Sequence, residues 1–308
     1  MAENGTEVRV EVDGRTLGLS NLEKVLYPAT GTTKGEVLHY YAQIAPVLLP
    51  HVLGRAVTRI RWPNGTDQGS FFEKNAPAGM PSWLRTVEVP STGSRGPSRY
   101  GDRIKYPVIE SLADLTYLAN LASLELHVHQ WRFDDGGQPL NPDRMVIDLD
   151  PGAPAGLEDC AQVALLVRER LTELGLPSAP VVSGSKGLHL YAPLSGDMSA
   201  DDVRESAKLI AEGLQKEHKR LVVSEMTKAK RPGKVFLDWS QNTASKTTIS
   251  PYSLRGRERP FVAAPLTWDE VDAGADGSGA IRQLALGEVL ARVDEHGDLF
   301  EKLLSSGR

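Results

Sequence analysis

The sequence predicts an α+β fold that forms one compact unit. Amphipathic stretches with helical spacing alternate irregularly with short runs rich in β-branched residues, and regular β-α-β alternation is absent. A chain of 308 residues with 40% hydrophobic and 24% charged residues can bury a sizeable core, and this composition is not typical of disordered or fibrous proteins. The single cysteine, Cys160, excludes an internal disulfide framework and a cysteine-clustered metal site.

Several stretches have the spacing of amphipathic helices. The clearest spans residues 33–49, where Thr33 can cap the first turn and Glu36 completes a capping box. The others span residues 157–174, 200–218 and, after a glycine-rich linker at 274–279, residues 280–304.

Five short runs predict strands between these helices. They span residues 144–149, 179–183, 188–192, 221–224 and 235–239. No linker composition interrupts residues 15–265, which we therefore expect to form one compact body. Residues 1–14 are expected to be an N-terminal extension, and residues 266–308 a linker followed by a helix.

Charge is distributed unevenly along the chain. The net charge is −5, which argues weakly against a nucleic-acid partner, but residues 216–259 carry 11 basic and 4 acidic side chains. A polyanion responds to such a local basic field, although a solvated charged surface is the alternative. Residues 1–6 do not resemble a secretory signal and no run approaches about 20 apolar residues, so we expect a cytoplasmic protein without membrane contact.

Two aspartates near the end of a predicted strand are the strongest candidate for a metal site. Residues two apart in a strand point to the same side, so Asp148 and Asp150 project together, with Ile147 and Leu149 on the other side. Adjacent carboxylates repel each other unless a cation lies between them, and oxygen ligands suit Mg²⁺ or Mn²⁺. Asp238 on another apolar strand can complete the site. Solvated aspartates at a strand end are the alternative.

Residues 181–191 read as a strand, a tight polar turn and a second strand. The glycines of this turn allow backbone amides to approach an anion, and Ser183, Lys186 and His189 add donors, so the turn is a candidate triphosphate site. An ordinary hairpin explains the same pattern. Arg255 follows in a second basic stretch and can bind phosphate oxygens through its planar guanidinium.

Two further groups could contact DNA. Phe71 and Phe72 follow Arg59 and Arg61, and aromatic rings beside cations can stack on bases. From residue type alone, at least one of the two phenylalanines is expected in the core.

Lys34 lies in the first turn of the helix capped by Thr33, where the free amides favour an anion, and Lys24 can join it there. Solvated lysines are the alternative.

His127 and His129 alternate along a β-like run and are expected to share a face of the strand. Two nitrogen ligands could bind a metal, but the sequence offers no obvious third ligand. A hydrogen-bonded structural or substrate-contacting role is therefore favoured.

Taken in order, these motifs resemble the primase-polymerase domain of bacterial DNA ligase D and its free-standing relatives in the archaeo-eukaryotic primase superfamily. The resemblance extends from about residue 19 to residue 293. Its most specific stretches are residues 19–28, 71–74, 148–151, 183–189, 238–242 and 251–255. It implies two β-sheets flanked by helices, an RRM-like catalytic core, and template-directed addition of nucleotides with two Mn²⁺ or Mg²⁺ ions.

The resemblance also assigns roles to individual residues. The metal-binding, catalytic carboxylates match Asp148, Asp150 and Asp238. Positions around the incoming NTP or dNTP match Ser183, Lys186, His189, Arg255, Phe71 and Phe72. The DNA 5′-phosphate site matches Lys24 and Lys34. A basic loop near the primer end matches Lys228 and Arg231, and the long basic loop at residues 90–105 adds Arg95, Arg99 and Arg103 as predicted DNA contacts.

The predicted function is therefore that of a DNA-dependent primase-polymerase, favouring ribonucleotides, which fills short gaps during DNA repair at the bacterial nucleoid. Its expected partners are gapped or broken DNA with a 5′-phosphate. The chain contains no Lys-x-Asp-Gly ligase motif, so we expect a separate ATP-dependent DNA ligase. The alternatives are a polymerase of non-homologous end joining and a module that recognises the 5′-phosphate and bridges DNA ends.

Overall fold

The structure is a computed structural model that describes residues 7–90, 103–277, 279 and 281–301. Its α-helices are α1 (Lys34–Val52), α2 (Leu112–Asn120), α3 (Leu157–Glu173), α4 (Ala200–Glu217), α5 (Trp268–Ala275) and α6 (Leu286–His296). Its strands are β1 (Val8–Val12), β2 (Arg15–Leu19), β3 (Val25–Tyr27), β4 (Thr32–Thr33), β5 (Val57–Arg61), β6 (Phe71–Glu73), β7 (Thr86–Pro90), β8 (Arg103–Pro107), β9 (Ser123–Val128), β10 (Trp131–Phe133), β11 (Pro139–Pro142), β12 (Arg144–Pro151), β13 (Ala179–Val182), β14 (Leu188–Pro193), β15 (Val222–Val223), β16 (Val235–Asp238), β17 (Thr248–Ile249), β18 (Phe261–Val262), β19 (Ala264–Pro265) and β20 (Leu284–Ala285).

A six-stranded sheet carries the candidate site. Its strand order is β15-β16-β12-β14-β13-β19, and β12 runs antiparallel to both of its neighbours. The five strands predicted from the sequence are β12 to β16, with bounds that differ from the prediction by at most two residues. Five of the six strands of this sheet were therefore evident in the sequence as short runs rich in β-branched residues.

Strand β12 separates two clusters of buried residues. Ile147 and Leu149 belong to the main core together with Cys160 of α3, whereas Val146 belongs to a smaller cluster with Tyr191. This alternation follows from the period of two in a strand and leaves Asp148 and Asp150 on the side away from α3. The predicted division of β12 into two faces is confirmed.

A four-stranded sheet of order β17-β9-β5-β6 forms the second large layer. Helix α1 packs on it through buried tyrosines, and the Tyr41 hydroxyl donates to the carbonyl of Leu124 over 2.6 Å. The two sheets are connected where the Tyr191 hydroxyl donates to the carbonyl of Ile249 over 2.9 Å. The predicted α+β architecture with two principal sheets is confirmed, and small two-stranded ribbons surround them.

Helix ends show where local signals were sufficient. The predicted capping box of α1 is present, since the Glu36 amide donates to Thr33 Oγ1 over 3.2 Å and the Thr33 amide donates to Glu36 Oε2 over 2.7 Å. No helix of the described residues has the length and apolar character needed to cross a lipid bilayer.

The predicted last helix over residues 280–304 is wrong in its bounds. Helix α6 covers only Leu286–His296, because Gly297 adopts a φ of +67° that ends the helix, and Leu284 pairs with β18 as part of β20. The preceding segment is not only a linker, since it contains α5. A capping box formed by Thr267 and Glu270 starts α5, and this Thr-x-x-Glu signal was readable in the sequence.

Candidate active site

The register of the central sheet brings the three aspartates together. Asp148 lies directly opposite Asp238 of β16 and opposite His189 of β14. Directly opposed residues of antiparallel strands have Cβ atoms about 5 Å apart. Asp150 follows on the same side of β12. The prediction that Asp238 lies beside the pair Asp148 and Asp150 therefore agrees with the strand pairing.

The electrostatics of this cluster favour a bound cation. Burial, the charge of Asp148 and the charge of Asp238 raise the pKa of the Asp150 carboxyl to about 6, against the opposing effect of His189. A cation between such carboxylates relieves their repulsion and stabilises the ionised forms. Hard divalent ions prefer carboxylate oxygens, so these residues fit Mg²⁺ or Mn²⁺.

Asp238 is at present engaged by its own neighbours. Its Oδ1 accepts the amide of Ser240 over 3.0 Å, and its Oδ2 accepts Gln241 Nε2 over 3.1 Å, while Lys246 Nζ lies 3.9 Å away. In this conformation no three acidic, histidine or cysteine side chains of the described ranges already surround one metal position. An ion held by Asp238 would therefore lie beside Gln241 and Lys246.

The turn between β13 and β14 closes against β12. Ser183 Oγ accepts the amides of Ser185 and Gly187 over 3.3 and 3.2 Å, which shapes the turn. A Cβ on Gly187 would lie 1.9 Å from the carbonyl oxygen of Leu149, so only glycine permits this approach. His189 Nε2 lies 3.3 Å from Asp148 Oδ1. The turn is thus fixed beside the carboxylates, and Lys186 extends from it exposed to solvent.

A cleft of about 600 Å³ joins these elements. It is lined by Asp148, Asp150, Ser183, Gly184, Ser185, Lys186, His189, Arg255, Arg257, Glu258, Arg259 and Phe261. Six residues predicted for metal or nucleotide binding therefore share one cleft. Four residues that follow Arg255 also line it, namely Arg257, Glu258, Arg259 and Phe261.

Arg255 is held by two acceptors at the wall of the cleft. Its Nε donates to the carbonyl of Ser183 over 2.8 Å, and its Nη1 donates to Glu125 Oε2 over 3.0 Å. Glu125 is almost fully buried, and its bonds to His127 and Arg255 hold the pKa of its carboxyl at about 2 despite burial. Sequence reasoning missed Glu125, whose signal was an acidic residue two positions before His127 in an otherwise apolar strand.

His127 agrees with the hydrogen-bonded structural role that was favoured for the histidine pair, whereas the buried ring nitrogens of His129 have no hydrogen-bond partner among the described residues. His127 Nε2 lies 2.7 Å from Glu125 Oε2, and His129 stacks on Trp131 with ring centroids 4.4 Å apart. Burial lowers the pKa of both imidazoles.

Phe71 and Phe72 lie on the edge strand β6 and are 53% and 60% exposed. The expectation that at least one belongs to the core is wrong. Strand β6 is instead fixed to β5 through Glu73, which forms ion pairs with the buried Arg59 at 2.8 Å and with Arg61 at 2.7 Å. These arginines, considered as base-contacting cations in the sequence, support the strand that presents the two rings.

Lys24 and Lys34 form a pair at the start of α1. Lys34 is 5% exposed and its Nζ donates to the carbonyl of Ser20 over 2.6 Å, while Lys24 Nζ donates to Asn64 Oδ1 over 3.3 Å. Burial and the charge of Lys24 lower the pKa of Lys34 to about 8. Two adjacent ammonium groups are favourable for binding a phosphate.

The predicted DNA-binding cations are only partly described. The Arg231 guanidinium lies 3.6 Å from the centre of the Phe236 ring, and its charge partly opposes the rise in the pKa of the Asp150 carboxyl. Lys228 is exposed in the same turn, and Arg103 lies on β8 with its Nε 3.3 Å from Glu88. Arg95 and Arg99 lie outside the described residues. All of these DNA contacts stay predictions.

Comparison with known proteins supports the resemblance seen in the sequence. The family described as LigD, primase-polymerase domain, matches residues 33–300. The non-homologous end joining DNA repair protein LigD of Mycobacterium tuberculosis strain H37Rv is 49% identical over 290 residues, which are 92% of this chain and 36% of that protein. The Bacillus subtilis LigD is 33% identical over 258 residues, covering 83% of this chain and 40% of that protein. The chain thus spans little more than a third of these curated relatives.

A solved structure agrees over nearly the whole chain. The polymerase domain from Mycobacterium tuberculosis ligase D in complex with DNA superimposes with a TM-score of 0.86 at 47% identity, covering 95% of this chain and 99% of that one. The predicted archaeo-eukaryotic primase fold and the predicted enzyme class, a DNA-directed nucleotidyltransferase dependent on divalent metal, are confirmed at the level of the family. This chain belongs to the LigD primase-polymerase domain family.

Proposed function

We propose that this chain extends primer ends across short gaps in bacterial DNA and that two divalent ions, Mn²⁺ or Mg²⁺, serve the reaction. The observation that carries this proposal is the strand register that opposes Asp148 to Asp238 and His189 at the cleft. The carboxylates would repel DNA if they were not neutralised, so a purely DNA-binding role does not explain them.

Asp148 and Asp150 are proposed to hold both ions, and Asp238 to share the catalytic one and help activate the primer 3′-hydroxyl. When bound, the ions neutralise charge on the transferring phosphate and the leaving pyrophosphate. The residues of the cleft position the substrate. Lys186 and Arg255 are proposed to bind phosphate oxygens of the incoming nucleotide by charge-assisted hydrogen bonds.

The DNA is proposed to be bound by residues around the cleft. Exposed phenylalanines 71 and 72 provide surfaces on which a base can stack. Lys24 and Lys34 are proposed to bind the 5′-phosphate on the far side of the gap. The exposed cations Lys228 and Arg103 and the half-buried Arg231 are proposed to contact the DNA backbone.

A double substitution tests the catalytic site. Asp148→Ala with Asp150→Ala should abolish nucleotide addition to gapped DNA while the affinity for that DNA persists. Asp197→Ala with Asp201→Ala is the matched control, because it removes the same charge from exposed positions beyond the other end of β14. Extension at the wild-type rate by the first double variant would refute the site.

The resemblance to the primase-polymerase family supports a preference for ribonucleotides. Extension of gapped, 5′-phosphorylated DNA with rNTPs and with dNTPs, each in Mg²⁺ and in Mn²⁺, tests this preference directly. Faster extension with dNTPs under both ions would contradict it.

The pathway and the ligase are a separate part of the proposal. Gap repair was predicted first, and the names of the relatives, which describe non-homologous end joining, favour end joining as a setting for the same chemistry. In either setting DNA is the substrate, at the bacterial nucleoid, and sealing falls to an ATP-dependent ligase activity outside these residues.

A second candidate function is recognition and bridging of DNA ends through the 5′-phosphate. The buried Lys34 beside Lys24 favours it, because a buried ammonium without an anion is costly. Affinity for gapped DNA with and without the 5′-phosphate tests this function. Lys24→Ala should erase any preference for the phosphate, and equal affinity of the wild-type protein for both DNAs would count against it.

A further inference from the structure

The backbone around Arg255 is fixed by side chains from two other segments. The fully buried Tyr27 donates its hydroxyl to the carbonyl of Arg255 over 2.8 Å. Glu125 accepts the amide of the next residue, Gly256, over 3.0 Å, and it also accepts the Arg255 guanidinium. Nη2 of Arg255 is left without a protein acceptor among the described residues, while Nε and Nη1 are both engaged. Arg255 is therefore held in place before a nucleotide arrives.

Tyr27 belongs to the same short segment as a lysine of the predicted 5′-phosphate site. Lys24 directly precedes β3, and Tyr27 ends that strand. The Lys34 amide donates to the carbonyl of Lys24 over 2.8 Å, and the Thr66 amide donates to the carbonyl of Leu26 over 2.8 Å. Strand β3 is thus tied to both lysines at one end and to the Arg255 backbone at the other.

A second contact joins the same two regions. The ring of Trp62 lies flat against Gly256, so closely that a Cβ on Gly256 would be 2.2 Å from the ring. Two residues after Trp62, Asn64 accepts the Lys24 ammonium over 3.3 Å. Lys24 is therefore linked to the Arg255–Gly256 backbone through two separate contacts.

We propose that Tyr27 is a positioning residue that couples occupancy of the 5′-phosphate site to the affinity of the cleft for the incoming nucleoside triphosphate. This inference rests on the proposed function, because it assumes that Lys24 and Arg255 bind those two groups. By linkage, the factor by which the 5′-phosphate tightens triphosphate binding equals the factor by which the triphosphate tightens binding of 5′-phosphorylated DNA. The nucleotide is then held most tightly where a downstream strand marks a true gap.

Equilibrium binding tests this coupling without turnover. A nucleoside triphosphate analogue that cannot be incorporated is titrated calorimetrically into protein saturated with gapped DNA that carries either a 5′-phosphate or a 5′-hydroxyl. The wild-type protein should bind the analogue at least about fivefold more tightly with the 5′-phosphate, which is the lower end of typical coupling factors. In Tyr27→Phe this ratio should fall below about twofold, whereas the preference for 5′-phosphorylated DNA without nucleotide should persist.

Tyr40→Phe is the matched control. Its hydroxyl is also buried and donates to a backbone carbonyl of the same segment, that of Tyr252 over 2.7 Å, and among the described residues it makes no hydrogen bond to β3 or to Arg255. This variant should keep the wild-type ratio. Asn64→Ala alters an exposed position, so it tests the second contact even if Tyr27→Phe does not fold, and it should also lower the ratio.

Three results would overturn the proposal. The first is equal affinity of the wild-type protein for the analogue with either DNA, and the second is an unchanged affinity ratio in both Tyr27→Phe and Asn64→Ala. The third is loss of the preference for 5′-phosphorylated DNA itself in Tyr27→Phe, which would make Tyr27 only a support of the phosphate site. The proposed function is tested by a different measurement, because it is refuted when the wild-type protein does not extend gapped DNA, whatever the binding ratios are.

Discussion

Lys34 shows how burial changes the chemistry of a single charge. Its ammonium is almost excluded from solvent at the first turn of α1, its one hydrogen-bond acceptor within the described part of the chain is the Ser20 carbonyl, and Lys24 lies nearby. Burial and the neighbouring charge favour the neutral amine and lower its pKa to about 8. A bound phosphate has the opposite effect, because an anion stabilises the ammonium.

Binding of the 5′-phosphate should therefore weaken as pH rises above about 8. The free protein then carries a neutral Lys34 that must take up a proton on binding, and at pH 9 only about a tenth of the molecules are charged. The ratio of affinities for gapped DNA with and without the 5′-phosphate, measured from pH 6.5 to 9, should fall up to about tenfold. Lys34→Arg should flatten this dependence, and a ratio that stays constant in the wild-type protein would contradict the assignment.

Phe71 and Phe72 allow a second prediction at this scale. Because both rings are more than half exposed, their removal should change folding stability little. Stacking on a base contributes about 1–3 kcal/mol per base, so each substitution by alanine should weaken binding of gapped DNA by about tenfold. Leu140→Ala, at an exposed apolar position on β11, is the control and should leave affinity unchanged. Wild-type affinity in both phenylalanine variants would show that the rings do not contact DNA.

At the scale of elements, close packing of the β13–β14 turn on β12 determines the shape of the cleft. The turn is fixed internally by Ser183 and externally by the contact of Gly187 with the carbonyl of Leu149. The local sequence identified the turn and its glycines but predicted that they expose amides to an anion. Their steric role depends on a strand more than thirty residues earlier in the chain, which no local pattern reveals.

Gly187→Ala should therefore damage both stability and nucleotide binding. The new methyl group must displace the turn from β12, which typically costs about 1–3 kcal/mol of unfolding free energy. Gly213→Ala in α4 is a contrasting control, since a Cβ there meets no atom within 4 Å, and it should stabilise the protein by about 0.5–1 kcal/mol. Denaturant unfolding and triphosphate titration measure both effects. Equal stability of the two variants would mean that the turn is free to move.

Helices and strands were predicted accurately where their sequence signals lie within a few residues of one another. Helix α1 was predicted with its capping box, and β12 to β16 were predicted within two residues, because periodicity and capping act over a few neighbours. Helix α6 was overextended because the pairing of β20 with β18 competes with helix formation there, and this pairing involves residues more than twenty positions apart.

At the scale of the whole molecule, the candidate site depends on contacts between distant segments. Carboxylate spacing within β12 predicted that Asp148 and Asp150 share a face. Asp238 was added because it lies on another apolar strand and matches a known motif, since no local pattern brings that strand beside β12. The buried links made by Glu125 and Tyr27 to Arg255 join segments 130 and 228 residues apart, so they were not predictable from local pattern. The ordered set of motifs carried the functional prediction because it encodes the fold that creates these contacts.

The most direct test of the central claim is the rate of single-nucleotide addition by Asp238→Asn on gapped, 5′-phosphorylated DNA in Mg²⁺ and in Mn²⁺. Asparagine keeps the size of the side chain and an oxygen that can accept the Ser240 amide, while the charge offered to a cation and the acceptor of the Gln241 amide are lost. Convergence of the three carboxylates on divalent ions predicts a rate at least about a hundredfold lower with either ion and an unchanged affinity for DNA. Addition within about twofold of the wild-type rate would contradict it.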